Sequence, residues 1–294
     1  MKVIYLTDGR DWAYFILKGL IEQKNKKWEI LKTITTPEIL FPKQHIEGLN
    51  TKTEIIDPKK IIEVYKKGLL DEADIMLFYD WSWIVPSEIV KNKICICSHP
   101  SPLPKYRGGS PIQHQIINGE KESAVSLFKM AEGLDDGPIY KQKSFSLEGH
   151  LSDIIKRIGE TSLEATIEML DGLAEGILKP VAQDESKAVV FKRRKKEESE
   201  LTKDKLANMT CEEMYNFIRA LEDPYPNAFI KISDCIILFK KADKFASSKI
   251  QESIEPIKLI TLTKIQAEEV LKNKTLLKCS DGGLLEIKEA EFIK

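Results

Sequence analysis

The sequence predicts an α/β fold, a Rossmann-like, mostly parallel twisted sheet with helices on both faces, followed by a small OB-like β-barrel. Three observations carry this expectation. Over the first half of the chain, short apolar runs rich in β-branched and aromatic residues alternate with segments of helical period. At Val189–Glu200 the charge-dense stretch VVFKRRKKEESE marks a change of character. Beyond it come one helix and then short strands at roughly even spacing, with an Asp281-Gly282-Gly283 turn. The boundaries expected are a large first domain over 1–189, a connector over 190–208 and a small β-rich domain over 209–294.

Taken in order, Lys2–Thr7 (KVIYLT) reads as a continuous buried strand. Trp12–Gln23 places Ala13, Ile16, Leu17, Leu20 and Ile21 on one helical stripe. Trp28–Thr35 is a second strand and Lys59–Leu70 a second helix. Asp74–Tyr79 and Ile94–Cys97 are buried strands, and a helix is expected over 109–118. Val125–Met130 and Ile139–Phe145 add strands, and Leu151–Gly176 is a long amphipathic helix. After the connector, Cys211–Leu221 is helical, followed by the strand candidates AFIKI, CIILFKKA, IKLITLT, TLLKCS and LLEIKEAEFI. Strands interleaved with helices imply a sheet covered on both faces, whose ligands sit beyond the carboxyl ends of the strands.

Composition removes several classes of function. With 42% hydrophobic and 31% charged residues the chain reads as an ordinary soluble protein, and its net charge of −1 creates no global field toward nucleic acid or anionic membrane. The start MKVIYLTDGRD reads as a strand rather than a signal peptide, and no run is long and apolar enough to span a bilayer. Five cysteines and four histidines show neither a disulfide framework nor zinc spacing. A cytoplasmic protein without a structural metal is the expectation.

The chemistry concentrates after the strand at 94–97, in CSHPSPLPKYRGG (Cys97–Gly109). A lone histidine at a strand end has a structural reading as well as a catalytic one. Pro100, Pro102 and Pro104 fix φ at three positions, which suits a preorganised site. Arg107, Gly108 and Gly109 then supply a cation and permissive backbone ahead of a helix. GLDDG (Gly133–Gly137) follows another strand and should return carboxylates to the same sheet edge. A histidine and an aspartate meeting there are the minimum for proton transfer.

These residues bring out a resemblance. His99, Ser101, Leu103, Pro104, Arg107 and Gly108, then SPIQHQIINGE, then GLDDG, resemble the 10-formyltetrahydrofolate-dependent formyltransferases. DWSWIVP (Asp80–Pro86) corresponds to that family's folate-side loop, and FKRR (191–194), IRA (218–220) and DPYPNAF (223–229) are similar to its C-terminal domain, especially in sugar-nucleotide members. The resemblance implies that an acceptor amine attacks the formyl carbon of 10-formyltetrahydrofolate. His99 then accepts a proton or stabilises the developing oxyanion, and Asp135 orients and charge-balances the ring. It also implies folate contacts from Trp81, Trp83, Ile84, Val85, Leu134 and Asp136. Acceptor contacts would come from Arg107, Gly108, Gly109, Gln113, Arg193, Arg194 and Tyr225.

One position departs from the family. Where an asparagine normally donates to the oxyanion, two residues before the histidine, this chain has Cys97, and a thiol is a weak donor. Ser98, Gln113, a backbone N–H or a water could replace it; Cys97 as a nucleophile is a further alternative. Loss of one such donor costs about 2.7–4 kcal/mol.

For the acceptor, a nucleotide-linked amino-dideoxy sugar of TDP or UDP type, formylated for a surface glycan, is expected over methionyl-tRNA. Residues 200–294 hold 15 Lys and Arg against 16 Asp and Glu, a net of −1, whereas a tRNA binder needs a basic face. The basic run Lys192–Lys196 is offset at once by Glu197, Glu198 and Glu200; it reads as a solvated linker, with Arg193 or Arg194 able to reach a diphosphate. Trp81 and Trp83, at alternate positions, should face one way, as buried core or as a wall for the pterin. Tyr225 is a packing corner, a base-stacking residue or a subunit bridge. His114 reads as a helix residue flanking the acceptor, and His45 and His150 as loop or surface residues. A homodimer is a further expectation. A dehydrogenase is disfavoured, since TDGRDWAYF lacks the GxGxxG pattern after the first strand. A formyltetrahydrofolate hydrolase and a non-catalytic folate-binding homologue remain as alternatives.

Overall fold

The computed structural model describes residues 1–37, 49, 51–232, 235–245 and 275–293. The chain gathers into two compact units: Met1–Pro111 with Glu122–Ser146 and Ile155–Phe191, and Ile112–Lys121 with Leu147–Ile154 and Lys192–Lys294.

In the first unit the described residues form a seven-stranded sheet. Its strands are β1 (Lys2–Thr7), β2 (Glu29–Thr35), β3 (Lys52–Ile55), β4 (Ile75–Tyr79), β5 (Ile94–His99), β7 (Glu122–Lys129) and β8 (Ile139–Ser146). A two-residue strand β6 (Arg107–Gly108) lies between β5 and β7 in the chain and pairs parallel with β9 (Val190–Phe191). The sheet order is β3-β2-β1-β4-β5-β7-β8, with β3 to β5 all parallel and β7 and β8 antiparallel. The mostly parallel sheet is thus as expected. β1 and β4 are buried along almost their whole length, which is why KVIYLT and IMLFY carry uninterrupted apolar residues. Ile4, Leu6, Ile34, Met76 and Phe78 form the core together with Ile61, Leu70 and Ile89.

Helices fall where the period placed them, with shifted ends. α1 spans Asp11–Glu22 and buries Ala13, Ile16, Leu17 and Leu20. The helix expected over 59–70 is shorter: a 3₁₀ turn at Pro58–Lys60 leads into α2 (Ile61–Lys66), which stops where Gly68 takes φ +72°. α3 (Ser87–Asn92) and β3 have too few residues to show a period and were not expected. α4 spans Pro111–Ile117 and α5 Leu151–Ala174. β5 runs two residues past the expected Cys97, because Ser98 and His99 pair with Leu127 and Ser126 of β7. His99, the candidate histidine, is therefore a strand residue.

In the second unit α6 (Lys203–Asn208) lies within the expected connector, capped by Thr202, and α7 (Cys211–Arg219) starts on a capping box between Thr210 and Glu213. β10 (Ala228–Ile232), β11 (Cys235–Lys244), β12 (Thr275–Lys278) and β13 (Leu284–Ile293) make an antiparallel half-barrel in the order β10-β11-β13-β12. The strand expected at IKLITLT and the residue His45 lie outside the described residues. His150 is more than a surface residue: Nδ1 is 2.7 Å from Glu222 and Nε2 3.0 Å from Asp243. Buried Arg219 donates from Nη1 to the carbonyls of Leu147 (2.6 Å) and Gly149 (2.9 Å). Among the described residues no helix is long and apolar enough to cross a membrane.

Candidate active site

The site of the first unit is built where β5 ends. His99 is 7% exposed, and its Nε2 lies 2.8 Å from the carbonyl oxygen of Tyr106. A carbonyl only accepts, so Nε2 carries a proton, and in the neutral ring Nδ1 is the lone-pair nitrogen. Nδ1 is 3.7 Å from Asp135 Oδ2. The same carboxylate oxygen accepts from the Gly108 backbone N–H at 2.8 Å, which fixes it beside the ring. His99 is the last residue of β5, and Asp135 lies in the loop that joins β7, whose last residue Lys129 opposes Ile96 of β5, to β8. An imidazole nitrogen open to accept a proton, next to a carboxylate that stabilises the resulting charge, can run general acid–base chemistry.

The loop between β5 and β6 is held by hydrogen bonds of its own and by others from β7 and β8. Ser101 Oγ donates to the Lys105 carbonyl at 2.8 Å, Ser126 Oγ donates to the Ser101 carbonyl at 2.6 Å, and Gln142 Nε2 donates to the Leu103 carbonyl at 3.1 Å. Tyr106 stacks on Phe191 with ring centroids 4.9 Å apart, so the carbonyl that holds His99 is itself fixed. Left-handed backbone gathers at these strand ends: Asp80, Tyr106, Ser110 and Asp135 have φ of +52°, +60°, +53° and +52°. Such conformations cost energy and persist where surrounding structure imposes them. Gly108 (φ +94°) is required, because a Cβ there would stand 2.2 Å from the Phe191 carbonyl oxygen.

Arg107 is engaged within the protein. Its guanidinium is buried, bonded to both carboxylate oxygens of Glu185 at 2.6 and 2.9 Å, and to Gln183 Oε1 at 2.8 and 3.1 Å. The fixed cation read from sequence is thus neutralised by Glu185. Cys97 is half-buried, and its Sγ lies 3.7 Å from the Ser98 carbonyl. Burial, reinforced by the charge of Asp135, pushes its thiol far above the ordinary range. A raised thiol disfavours the thiolate, the reactive form, and so weighs against the nucleophile alternative.

The other expected contacts fall into separate groups. In the 80–86 loop, Trp81 packs edge-on against Phe78 at 5.8 Å, while the Trp83 ring lies 6.0 Å from Lys59 Nζ. The two indoles therefore meet different neighbours: Asp80 bends the chain and the segment is not a strand, so the alternation rule does not apply. Val85 packs on the core, whereas Ile84 is 93% exposed and Leu134 59% exposed. Trp81 Nε1 and Asp136 Oδ1 are buried without a hydrogen-bond partner among the described residues.

Gln113, Arg193, Arg194 and Tyr225 belong to the second unit. Gln113 is buried on α4, and His114 Nε2 lies 3.0 Å from the Lys192 carbonyl. Arg194 lies over the Phe217 ring at 5.8 Å and donates to the Glu198 carbonyl at 3.0 Å; Arg193 is exposed. Tyr225 lines a hollow of about 380 Å³ with Pro224, Pro226, Phe229 and Lys196. Among the described residues no cluster of three or more His, Cys, Asp or Glu side chains could hold a metal ion. Sequence reasoning missed Gln183 and Glu185, which lie in a polar loop whose composition carries no signal of a role.

Comparison with known proteins bears on the same residues. A family model described as formyl transferase matches residues 20–169, and one for a formyl transferase C-terminal domain matches residues 200–294. The chain is 29% identical over 279 residues to a methionyl-tRNA formyltransferase of Bacillus mycoides, covering 89% of this chain and 84% of that protein. Among solved structures, a methionyl-tRNA formyltransferase from Clostridium thermocellum aligns with TM-score 0.65 at 29% identity, over 85% of this chain and 95% of that one. A sugar N-formyltransferase from a Shewanella species has a similar fold, with TM-score 0.66 at 21% identity over 80% and 94% of the two chains.

Proposed function

Since the chain belongs to the formyl transferase family, enzymes that move one-carbon formyl groups, we propose that it transfers formyl from 10-formyltetrahydrofolate to the amine of a nucleotide-linked amino sugar. The observation that carries the transfer chemistry is the lone-pair Nδ1 of His99, 3.7 Å from Asp135 Oδ2. The donor supplies a formyl carbonyl open to attack by an amine. His99 Nδ1 takes the proton that the amine sheds as its new C–N bond forms, and returns it to the departing nitrogen of the donor. Asp135 balances the imidazolium in between, and Tyr106 keeps the ring turned so that Nδ1, not Nε2, does this work. Help of this kind contributes about 10²–10⁴ in rate. Trp81, Trp83, Ile84, Val85, Leu134 and Asp136 are the side chains we assign to the folate. The unspent Trp81 N–H and Asp136 oxygen support that assignment.

The sugar acceptor is supported by the charge of residues 200–294, which totals −1 and gives no net attraction for a polyanion. Gly109, Gln113, Arg193, Arg194 and Tyr225 are assigned to it, with exposed Arg193 the candidate for the diphosphate. A second reading, methionyl-tRNA as acceptor, is favoured by the 29% identity to the Bacillus mycoides protein. The test is incubation with 10-formyltetrahydrofolate and, in parallel, a panel of TDP- and UDP-linked amino sugars and methionyl-tRNA, read by mass for a gain of CO. Formylation of a nucleotide sugar is expected. Formylation of methionyl-tRNA alone overturns the sugar assignment, and release of formate without any acceptor identifies a hydrolase.

A further inference from the structure

Asp135 sits on a left-handed residue in a short loop, and one side chain outside every motif holds that loop in place. Gln183 uses both ends of its carboxamide. Its Nε2 donates to the backbone carbonyls of Asp135 at 2.8 Å and Gly137 at 2.7 Å. Its Oε1 accepts from Arg107 Nε at 3.1 Å and Nη2 at 2.8 Å. Arg107 is the residue before Gly108, whose N–H holds the Asp135 carboxylate. Gln183 thus ties together the backbone that carries Asp135 and the strand that grips its side chain. Its own position is fixed from both sides. Val181 exchanges two backbone hydrogen bonds with Ile139 at 2.8 Å each, and a 3₁₀ turn capped by Asp184 follows at Glu185–Lys187. Glu185 closes the assembly by pairing with the far side of the Arg107 guanidinium.

We infer that Gln183 is a positioning residue for formyl transfer, holding the Asp135 carboxylate against His99 through the Arg107–Gln183–Asp135 chain. The inference rests on the proposed role of Asp135. A Gln is needed here because only a carboxamide donates to two carbonyls from one end while accepting from a guanidinium at the other. The discriminating substitution is Gln183→Glu. It has the same shape and keeps the acceptor for Arg107, but sets a carboxylate oxygen against the two carbonyls that the amide had bonded. Gln183 is only half-buried, so the variant can fold.

The expected result is a fall in kcat of about 10²-fold, the usual effect of displacing a catalytic group by an ångström. KM for the acceptor should change little, because no substrate contact is removed. The His99 ring ¹⁵N signals should shift toward those of Asp135→Asn, a signature that mere loss of stability does not produce. Asp135→Asn is assayed alongside. If it loses activity while Gln183→Glu keeps the wild-type kcat and His99 signals, the positioning role is overturned and the role of Asp135 stands. If Asp135→Asn is itself fully active, the reading of Asp135 is overturned, and the inference with it.

Discussion

Replacing Asp135 by Asn removes one charge and little else. Asn tolerates the left-handed conformation that Asp135 adopts at φ +52°, and its carboxamide oxygen can still accept from the Gly108 N–H. What disappears is the attraction between the carboxylate and the imidazolium formed during transfer. At the observed 3.7 Å, with side chains 9% and 19% exposed, an effective dielectric of about 20 gives that attraction as about 4 kcal/mol. Lost from the transition state, this corresponds to about 10³ in rate. The assay is single-turnover formyl transfer under saturating donor and acceptor, with thermal unfolding as the control for folding. The expected outcome is a rate about three orders of magnitude lower with nearly unchanged stability. A variant within threefold of the wild type would show that the carboxylate carries no such load.

Further outcomes follow from neighbouring residues. Cys97→Asn should be tolerated or raise kcat by restoring an amide donor. In the wild type, Cys97 should be alkylated slowly by iodoacetamide at neutral pH, as peptide mass mapping would reveal, because burial holds its thiol protonated. Gly108→Ala should lower stability by about 1–3 kcal/mol or more in urea unfolding, since it adds backbone strain at φ +94° and a 2.2 Å approach to the Phe191 carbonyl. Bonds from Lys121 and Lys244 hold the Glu212 carboxyl down at about 2. A depressed acid contributes stability above its unfolded value of about 4.3, and that contribution is lost as pH falls toward 2. Glu212→Gln should therefore flatten the dependence of stability on pH in that window and leave the slope near neutrality alone.

The parallel sheet was legible because β1 and β4 are buried on both faces and therefore carry continuous apolar runs that no helix pattern mimics. α5 was legible because a 24-residue helix repeats its period many times. β3, α3 and α6 were not, since four to six residues cannot display a period and neighbours impose the structure. The histidine–aspartate pair was legible through its two motifs, HPSPLPKYRGG and GLDDG, and not through the strands, since β5 and β7 run antiparallel and end at opposite edges of the sheet. The tautomer of His99 was not, for it depends on a backbone carbonyl seven residues away in the chain. Arg107 shows the limit most clearly: sequence presents a cation beside the site, and the fold gives that cation to Glu185 and Gln183.

The most direct measurement is the double-mutant cycle of His99→Ala and Asp135→Asn on the formyl transfer rate. If the carboxylate acts only through the imidazole, the double variant is no slower than His99→Ala alone, because groups that work as a unit are not additive. Independent, multiplying losses from the two substitutions would contradict the account.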